Sequence, residues 1–266
     1  MHETVIIMFP GFEALKLEVE KLRTELSTLV LERDELLYME CRNIEMAYML
    51  SLGGLEYKVY EAECAVLRLK RKLELIQAKR NLQERIVIAQ IEITLDTEFS
   101  EYKERLKAQI DKMNEAIDRS HRGLLTDEQA KELKRLYRKI VKSLHPDLHP
   151  DLSDSQLELF KNAVTAYENG DLQTLQIISE MVGEPLPDTS QDAMTQLTHE
   201  KERLGNLLKT IKNSIKTIKS EYPYILKEIV NSPEKTAERK QALEKMLEQY
   251  REMIATYYAK IEEMMR

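Results

Sequence analysis

The sequence of 266 residues contains no tryptophan, four phenylalanines, seven glycines and seven prolines. The low aromatic share, 6%, argues against a single large core built around aromatic side chains. Because glycine and proline are the residues that interrupt helices, their scarcity leaves long stretches in which a helix can continue. Charged residues make up 33% of the chain and hydrophobic residues 42%. This composition predicts a soluble, mostly helical protein of one large or two to three small domains.

Other scarce features narrow the possible functions. The two cysteines, Cys41 and Cys64, lie in helical patterns without metal-ligand spacing, so we expect reduced thiols rather than a disulfide. The apolar run at residues 5–10 is too short for a signal-peptide core or a membrane span, and the expected location is therefore cytoplasmic. A net charge of −7 argues against nucleic-acid binding by the chain as a whole.

Apolar residues in the first part of the chain repeat at alternating spacings of four and three residues. The repeat covers residues 12–50, is interrupted by paired glycines at residues 53–54, and resumes over residues 55–113. Such a stripe must be buried against another helix, and adjacent glycines favour a turn. We therefore predict an antiparallel helical hairpin or coiled coil over residues 12–118, with the longer arm second. A basic run within it, residues 68–72, is interpreted as a solvated helix face rather than a nucleic-acid or acidic-partner patch.

The C-terminal region carries further apolar seams, from about residue 191 to residue 225 and then to residue 261. Pro223 is expected to kink or divide the first helix, and Pro233 follows a turn at a position that favours a helix start. The region is predicted to form a second antiparallel hairpin. Either hairpin could also pair with another copy of the chain or with another protein.

Between the hairpins, three shorter helices are predicted from their N-caps. Thr126 with Gln129 and Ser153 with Gln156 form capping boxes, and Asp171 is a third cap. The first of these helices is strongly basic outside its apolar stripe, with Lys131, Lys134, Arg135, Arg138, Lys139 and Lys142. On its own, that surface would be interpreted as a solvated helix face.

The loop after the basic helix contains His-Pro-Asp twice, at residues 145–147 and 149–151. A divalent metal site is one interpretation, since histidine and aspartate are metal ligands. It is disfavoured because alternation along a proline-stiffened segment does not make the side chains converge, and no other His or Cys cluster completes the ligand set. No cofactor is predicted. The sequence also offers no nucleotide-binding loop, no nucleophile with a base and no paired acids, so we expect no catalytic residues.

The basic helix, the loop and the next helix together resemble the J-domain of DnaJ-class co-chaperones. The matching segments are Leu133-Lys-Arg-Leu-Tyr-Arg-Lys-Ile-Val-Lys-Ser-Leu-His-Pro-Asp147 and Phe160-Lys-Asn-Ala-Val-Thr-Ala-Tyr-Glu168. Tyr137 stands eight residues before His145, which selects the first His-Pro-Asp as the signature copy. The resemblance covers about residues 120–182. The family's short first helix is not matched, and the long helix ending near Ser120, with residues 124–126, is expected to take its place.

The resemblance implies a co-chaperone that docks on a DnaK-class chaperone ATPase and accelerates its ATP hydrolysis. The signature loop, here His145, Pro146 and Asp147, would contact the ATPase. The basic helix would steer the signature loop toward an acidic surface of the ATPase. The residues expected to do so are Lys134, Arg138, Lys139 and Lys142. For Tyr137, partner contact and packing against the following helix both stay open.

The sequence therefore predicts an all-α fold in which long antiparallel hairpins or coiled coils flank a small J-like module. The expected domains are an N-terminal hairpin at residues 1–119, a J-like domain at residues 120–184 and a C-terminal hairpin at residues 185–266. The leading functional hypothesis is a J-domain-type co-chaperone whose coiled-coil arms serve oligomerisation or targeting. The alternative is a coiled-coil scaffold with a degenerate J-like module. In neither case do we expect membrane association or nucleic-acid binding.

Overall fold

The computed structural model describes residues 10–121, 125–182 and 193–266. Within these ranges the chain is overwhelmingly helical and forms no strand, which confirms the predicted all-α class. None of the helices in the described ranges is both long enough and apolar enough to cross a membrane.

The described residues form eleven α-helices. In chain order they are α1 (Pro10–Asp34), α2 (Cys41–Tyr48), α3 (Gly54–Asn81), α4 (Ile88–Glu98), α5 (Ser100–His121), α6 (Asp127–Leu144), α7 (Asp154–Glu168), α8 (Leu172–Met181), α9 (Ala193–Ser220), α10 (Lys227–Val230) and α11 (Pro233–Met265). Two π-helical segments, Glu35–Glu40 and Met49–Gly53, stand on either side of α2, and a 3-10 turn at Tyr224–Leu226 precedes α10. The predicted interruption of the C-terminal helix around Pro223 is confirmed, because α9 ends at Ser220.

The predicted turn at residues 53–54 is wrong. Gly53 ends a π-helical segment and Gly54 begins α3, so the chain stays helical through both glycines. A glycine costs a helix interior only about 1 kcal/mol, which tertiary packing can offset. The packing here is close, because a Cβ on Gly53 would lie 3.1 Å from the Sδ atom of Met49 and 3.8 Å from that of Met113 in α5. The chain turns instead between α3 and α4, where Gln83 has a positive φ of 56°.

Contacts between Cα atoms divide the chain into two compact units. The first unit contains the described residues 10–43, 125–182 and 193–225, and the second contains residues 44–121 and 226–266. Each unit therefore combines segments that are far apart in the sequence.

In the second unit, α3 has partners on two sides. The α4 and α5 helices return antiparallel to it, so that Arg68 of α3 pairs with Asp96 of α4 at 3.0 Å. The α11 helix runs parallel to α3. Arg239 pairs with Glu56 at 3.0 Å near the start of both helices, and Ile261 joins the same apolar cluster as Ile76 near their ends.

In the first unit, α1 and α9 run parallel, as three successive ion pairs between them show. Their N···O distances are 2.8 Å for Glu18–Lys201, 2.7 Å for Glu25–Lys212 and 2.8 Å for Glu32–Lys219. Also in this unit, α6, α7 and α8 pack on one another as a small three-helix module. One buried apolar cluster includes Leu26 of α1, Ile140 of α6 and Leu208 of α9.

The predicted arrangement as two antiparallel hairpins is not confirmed. Each of the two C-terminal helices, α9 and α11, packs in parallel on an N-terminal helix of its own unit. A four-three apolar repeat requires a partner helix, but it does not specify which helix or which direction. The predicted division into three domains stays a prediction: its first boundary falls inside α5, and its second, between residues 184 and 185, lies outside the described residues.

The J-like module is completed differently from the expectation. The helix that packs on both α6 and α7 is α8, which follows them in the chain, whereas α5 belongs to the second unit. Residue 124 lies outside the described residues. Leu125 contributes a local contact, because its side chain lies 3.3 Å from the position that a Cβ on Gly170 would occupy. The positive φ of Gly170, 68°, turns the chain from α7 into α8.

Candidate functional site

Local sequence signals define the two helices that hold the signature loop. Thr126 accepts from the N–H of Gln129 at 3.2 Å, and the Gln129 side chain accepts from the N–H of Thr126 at 3.0 Å. Ser153 and Gln156 form the same reciprocal pair at the start of α7. Both predicted capping boxes are therefore confirmed, and they satisfy N–H groups that a helix start would otherwise leave unpaired.

The loop itself is a tight turn. His145 stops α6 with an extended backbone, as expected for a residue that precedes proline. Its carbonyl oxygen accepts from the N–H of Leu148 at 3.0 Å and from that of His149 at 2.9 Å. The N–H of Asp147 points at the Nδ1 atom of His145 at 3.0 Å. This turn therefore fixes the imidazole ring and the Asp147 side chain relative to each other.

The ring of His145 is buried, with 4% of the residue exposed. It meets the ring of Phe160 of α7 edge-on, at 4.9 Å between centroids. On its other side lie two residues from the end of α1: the Nη2 atom of Arg33 is 3.0 Å from Nε2, and the Oδ2 atom of Asp34 is 3.8 Å from it. The signature histidine is thus enclosed by the chain's own side chains.

These contacts favour a neutral imidazole. A neutral ring has one donor and one acceptor nitrogen, whereas a protonated ring has two donors. The N–H of Asp147 faces Nδ1 and the guanidinium of Arg33 faces Nε2. A protonated ring would therefore turn an N–H toward a donor at both nitrogens, whereas a neutral ring does so at only one and accepts at the other. Burial, together with the nearby Arg33 charge, lowers the pKa of His145 to about 4, although the Asp147 carboxylate opposes the shift.

Arg33 links two carboxylates. Its Nη2 atom donates to the Oδ1 atom of Asp34 at 3.0 Å, and its Nη1 atom donates to the Oδ2 atom of Asp147 at 3.0 Å. Asp34 is only 1% exposed, and burial raises its pKa in spite of the adjacent guanidinium. The hydroxyl of Tyr137 donates to the other oxygen of Asp34 at 2.9 Å. The loop and the end of α1 therefore share one buried polar network.

The ring of Tyr137 lies in the core. It stacks on Tyr167 of α7 with 4.1 Å between centroids and an interplanar angle of 8°. Burial raises the pKa of its hydroxyl, and the neighbouring Asp34 carboxylate adds to the shift. Of the two roles left open by the sequence, packing against the following helix is the one seen in this structure.

The predicted steering residues do not share one environment. Lys134 forms an ion pair with Glu35, next to the end of α1, and Lys139 donates to the carbonyl oxygen of Ser179 in α8 at 3.0 Å. The four predicted steering residues, Lys134, Arg138, Lys139 and Lys142, are all exposed. Arg138 and Lys142, which stand four residues apart on one face of α6, make no such contact with the residues that the structure describes.

The second His-Pro-Asp copy does not converge with the first. His149 directs its Nε2 atom at the carbonyl oxygen of Lys142, 2.7 Å away, and Asp151 is exposed. Over the described part of the chain, no group of three or more His, Cys, Asp or Glu side chains is arranged to hold a metal ion.

Sequence reasoning missed Arg33, Asp34 and Arg203. The first two interrupt the apolar repeat of α1 as a polar break, and that break was the available signal. The third, in α9, directs its Nη1 atom at the carbonyl oxygen of Asp147, 3.4 Å away. All three lie more than 50 residues from the loop, so that no local pattern connects them with it.

Comparison with known proteins adds no relative: no family model, no curated protein and no solved structure matches the chain. The resemblance to J-domains therefore depends on the motif residues of the sequence.

Proposed function

We propose that this protein is a J-domain-type co-chaperone, which docks on a DnaK-class chaperone ATPase and stimulates its ATP hydrolysis. The observation that carries the proposal is the turn between α6 and α7, in which His145, Pro146 and Asp147 are fixed at the end of a basic helix. A rigid turn can present an imidazole and a carboxylate together with little loss of conformational freedom on binding.

The basic face of α6 supports the same proposal. Arg138 and Lys142 are exposed, and Lys134 and Lys139 are exposed with contacts at their tips. Positive charge beside a docking loop accelerates encounter with an acidic partner and makes binding sensitive to salt. Stimulation additionally requires the loop to bind the hydrolysis-competent state of the ATPase more tightly than its other states.

The proposed location is the cytoplasm. Both cysteines, Cys41 and Cys64, are buried free thiols, which fits a reducing compartment. This part of the proposal depends on the partner as well, because a DnaK-class ATPase has to be present where the loop can reach it.

The deciding experiment measures single-turnover ATP hydrolysis by the DnaK-class ATPase of the same organism, with and without this protein. We expect stimulation by the wild type and its loss in His145→Gln and Asp147→Asn. The matched control is Asp151→Asn, the same change in the second copy, which should retain stimulation. If neither the wild type nor a variant without the Arg33 and Asp34 charges, which contact the loop, stimulates at any concentration, at low salt as well as at physiological salt, the co-chaperone function is wrong.

A second candidate is a structural role for the module within a helical scaffold. It is favoured by one specific observation, the burial of His145 against Arg33 and Phe160 of its own chain. In that case His145→Gln would lower the melting temperature and leave ATP hydrolysis by the partner unchanged in every variant.

A further inference from the structure

The side chains of the signature loop are in contact with other residues of the same chain. Arg33 lies between the two side chains that the proposed function needs, 3.0 Å from the Nε2 atom of His145 and 3.0 Å from the Oδ2 atom of Asp147. Asp34 lies behind it, 3.8 Å from the same imidazole nitrogen. Both residues belong to the last turn of α1, outside the J-like module.

This occupancy conflicts with docking. An ATPase that contacts His145 must reach a residue that is 4% exposed, and it must take the Asp147 carboxylate away from a guanidinium that already binds it. The atoms that would recognise the partner are thus the atoms that α1 covers. The same contacts cannot serve both surfaces at once.

We propose that Arg33 and Asp34 form an autoinhibitory clamp, which holds the His145–Asp147 loop closed until the end of α1 withdraws. This inference rests on the proposed co-chaperone function. The end of α1 and the ATPase compete for the same loop. Because the ATPase binds only the open form, its apparent affinity equals the affinity for the open form multiplied by the fraction of molecules that are open.

The backbone beside the clamp departs from α-helical geometry. Asp34 is followed directly by the π-helical segment Glu35–Glu40. Such segments are rare in proteins, and those that occur are often found at functional sites. Leu36 in this segment is buried in the same apolar cluster as α6 and α7. A return of the segment to α-helical hydrogen bonding would rotate Arg33 and Asp34 relative to the residues that follow.

The surface contacts of the clamp region are weak ones. Glu35 pairs with Lys134 of α6 between two side chains that are about half exposed. The ion pairs between α1 and α9 are exposed as well, and such pairs contribute little and are screened by salt. The buried network of Arg33, Asp34 and Tyr137 is therefore the part that decides whether the clamp stays closed.

The first test measures the accessibility of His145 without any partner. Diethylpyrocarbonate modifies exposed neutral imidazoles, and peptide mass spectrometry reports each histidine separately. His121 and His199 are exposed and serve as internal references. We expect His145 in the wild type to react at least about tenfold more slowly than either reference.

The double substitution Arg33→Gln with Asp34→Asn is designed to open the clamp. It removes both charges, is isosteric at position 34 and shortens the side chain at position 33. The matched control is Arg23→Gln, the same change at an exposed ion pair with Glu200 on the same helix. Because a change in a buried network can disturb folding, a second variant uses the exposed position Glu35, as Glu35→Lys, which turns its pairing with Lys134 into repulsion.

We expect the double variant to bring the labelling of His145 close to that of the references, and Glu35→Lys, which changes only an exposed contact beside the network, to raise it by a smaller amount. In the ATPase assay, the double variant should lower the half-saturating concentration for stimulation by about tenfold and Glu35→Lys by less, whereas Arg23→Gln should match the wild type. Circular dichroism must show unchanged helix content for each variant.

The outcomes separate the inference from the function on which it rests. If the wild type and the opening variants stimulate equally, the clamp is wrong and the co-chaperone function stands. Persistent protection of His145 in both opening variants would also overturn the clamp, because Phe160 alone would then explain the burial. If labelling increases but no variant stimulates, the co-chaperone function fails, and with it the autoinhibitory meaning of the contact.

Discussion

Two arginine–carboxylate clusters, one in each unit, differ in the direction in which the pKa of the carboxyl group is shifted. In the second unit, Arg68 and Lys72 contact Glu92 at the surface of the α3–α4 pair, and their hydrogen bonds lower the pKa of that carboxyl. In the first unit, Arg33 contacts Asp34, and burial raises the pKa of Asp34 although the guanidinium opposes it. Both clusters pair a guanidinium with a carboxylate, so that the difference in burial decides whether the pKa of the carboxyl group rises or falls.

This difference indicates what each cluster is for. An exposed pair contributes at most about 1 kcal/mol and tolerates change. A buried pair is expensive to desolvate and is often no more stable than an apolar replacement. The network of Arg33, Asp34 and Tyr137 connects the signature loop to α1, whereas the Glu92 cluster connects two neighbouring helices of a hairpin.

The largest effect is expected from breaking the buried pair on one side only. Arg33→Ala leaves the Asp34 carboxylate buried without its cation, and we expect the free energy of unfolding to fall by roughly 3–5 kcal/mol. Urea denaturation followed by circular dichroism measures the change. The double substitution of Arg33→Gln with Asp34→Asn should cost less than the single one. An equal or larger cost of the double would show that an unpaired buried charge is not the cause.

The next effect depends on pH. The pKa of His145 is lowered to about 4 in the folded protein from an ordinary value near 6.5, so that folding favours the neutral ring. Its contribution to stability is complete above about pH 6.5 and is lost as the pH falls toward 4, with a total of roughly 3 kcal/mol. The charged and titratable groups around the ring are Arg33, Asp34, Asp147 and His149.

A comparison with His145→Gln isolates this contribution, because the substitution removes the titrating ring and keeps the other groups. Between pH 7 and pH 5 the wild type should lose more unfolding free energy than the variant, as measured in urea at each pH. Parallel pH profiles for the two proteins would mean that the histidine is not held neutral by its surroundings.

A smaller change tests the hydrogen bond within the buried network. Tyr137→Phe keeps the stacking on Tyr167 but removes the hydroxyl that donates to Asp34. We expect a loss of roughly 1–3 kcal/mol, since a hydrogen bond to a buried charged group is costly to remove. The control is Tyr258→Phe at a ring that is 60% exposed, where unfolding in urea should not change. Equal midpoints for both variants would contradict the assigned role of the hydroxyl.

The contrast between the clusters also marks what the sequence could predict. Caps are local signals, and Thr126 and Ser153 located the starts of α6 and α7 correctly. The apolar repeat predicted long helices, but pairing is decided by many weak contacts over long distances, and the parallel partners α9 and α11 were missed. Arg33 was visible as a polar break in α1, yet its contact with Asp147 spans 114 residues and has no local signature.

The smallest expected effect is at the exposed cluster of the second unit. Glu92→Gln removes the carboxylate that Arg68 and Lys72 share, but all three side chains reach solvent. We expect the free energy of unfolding to fall by less than about 1 kcal/mol. The difference should vanish in about 0.5 M salt, because the Debye length is then only a few ångströms. Urea denaturation at both salt concentrations measures it. A loss as large as that of Arg33→Ala would remove the distinction between the clusters, because exposure would then not be what separates them.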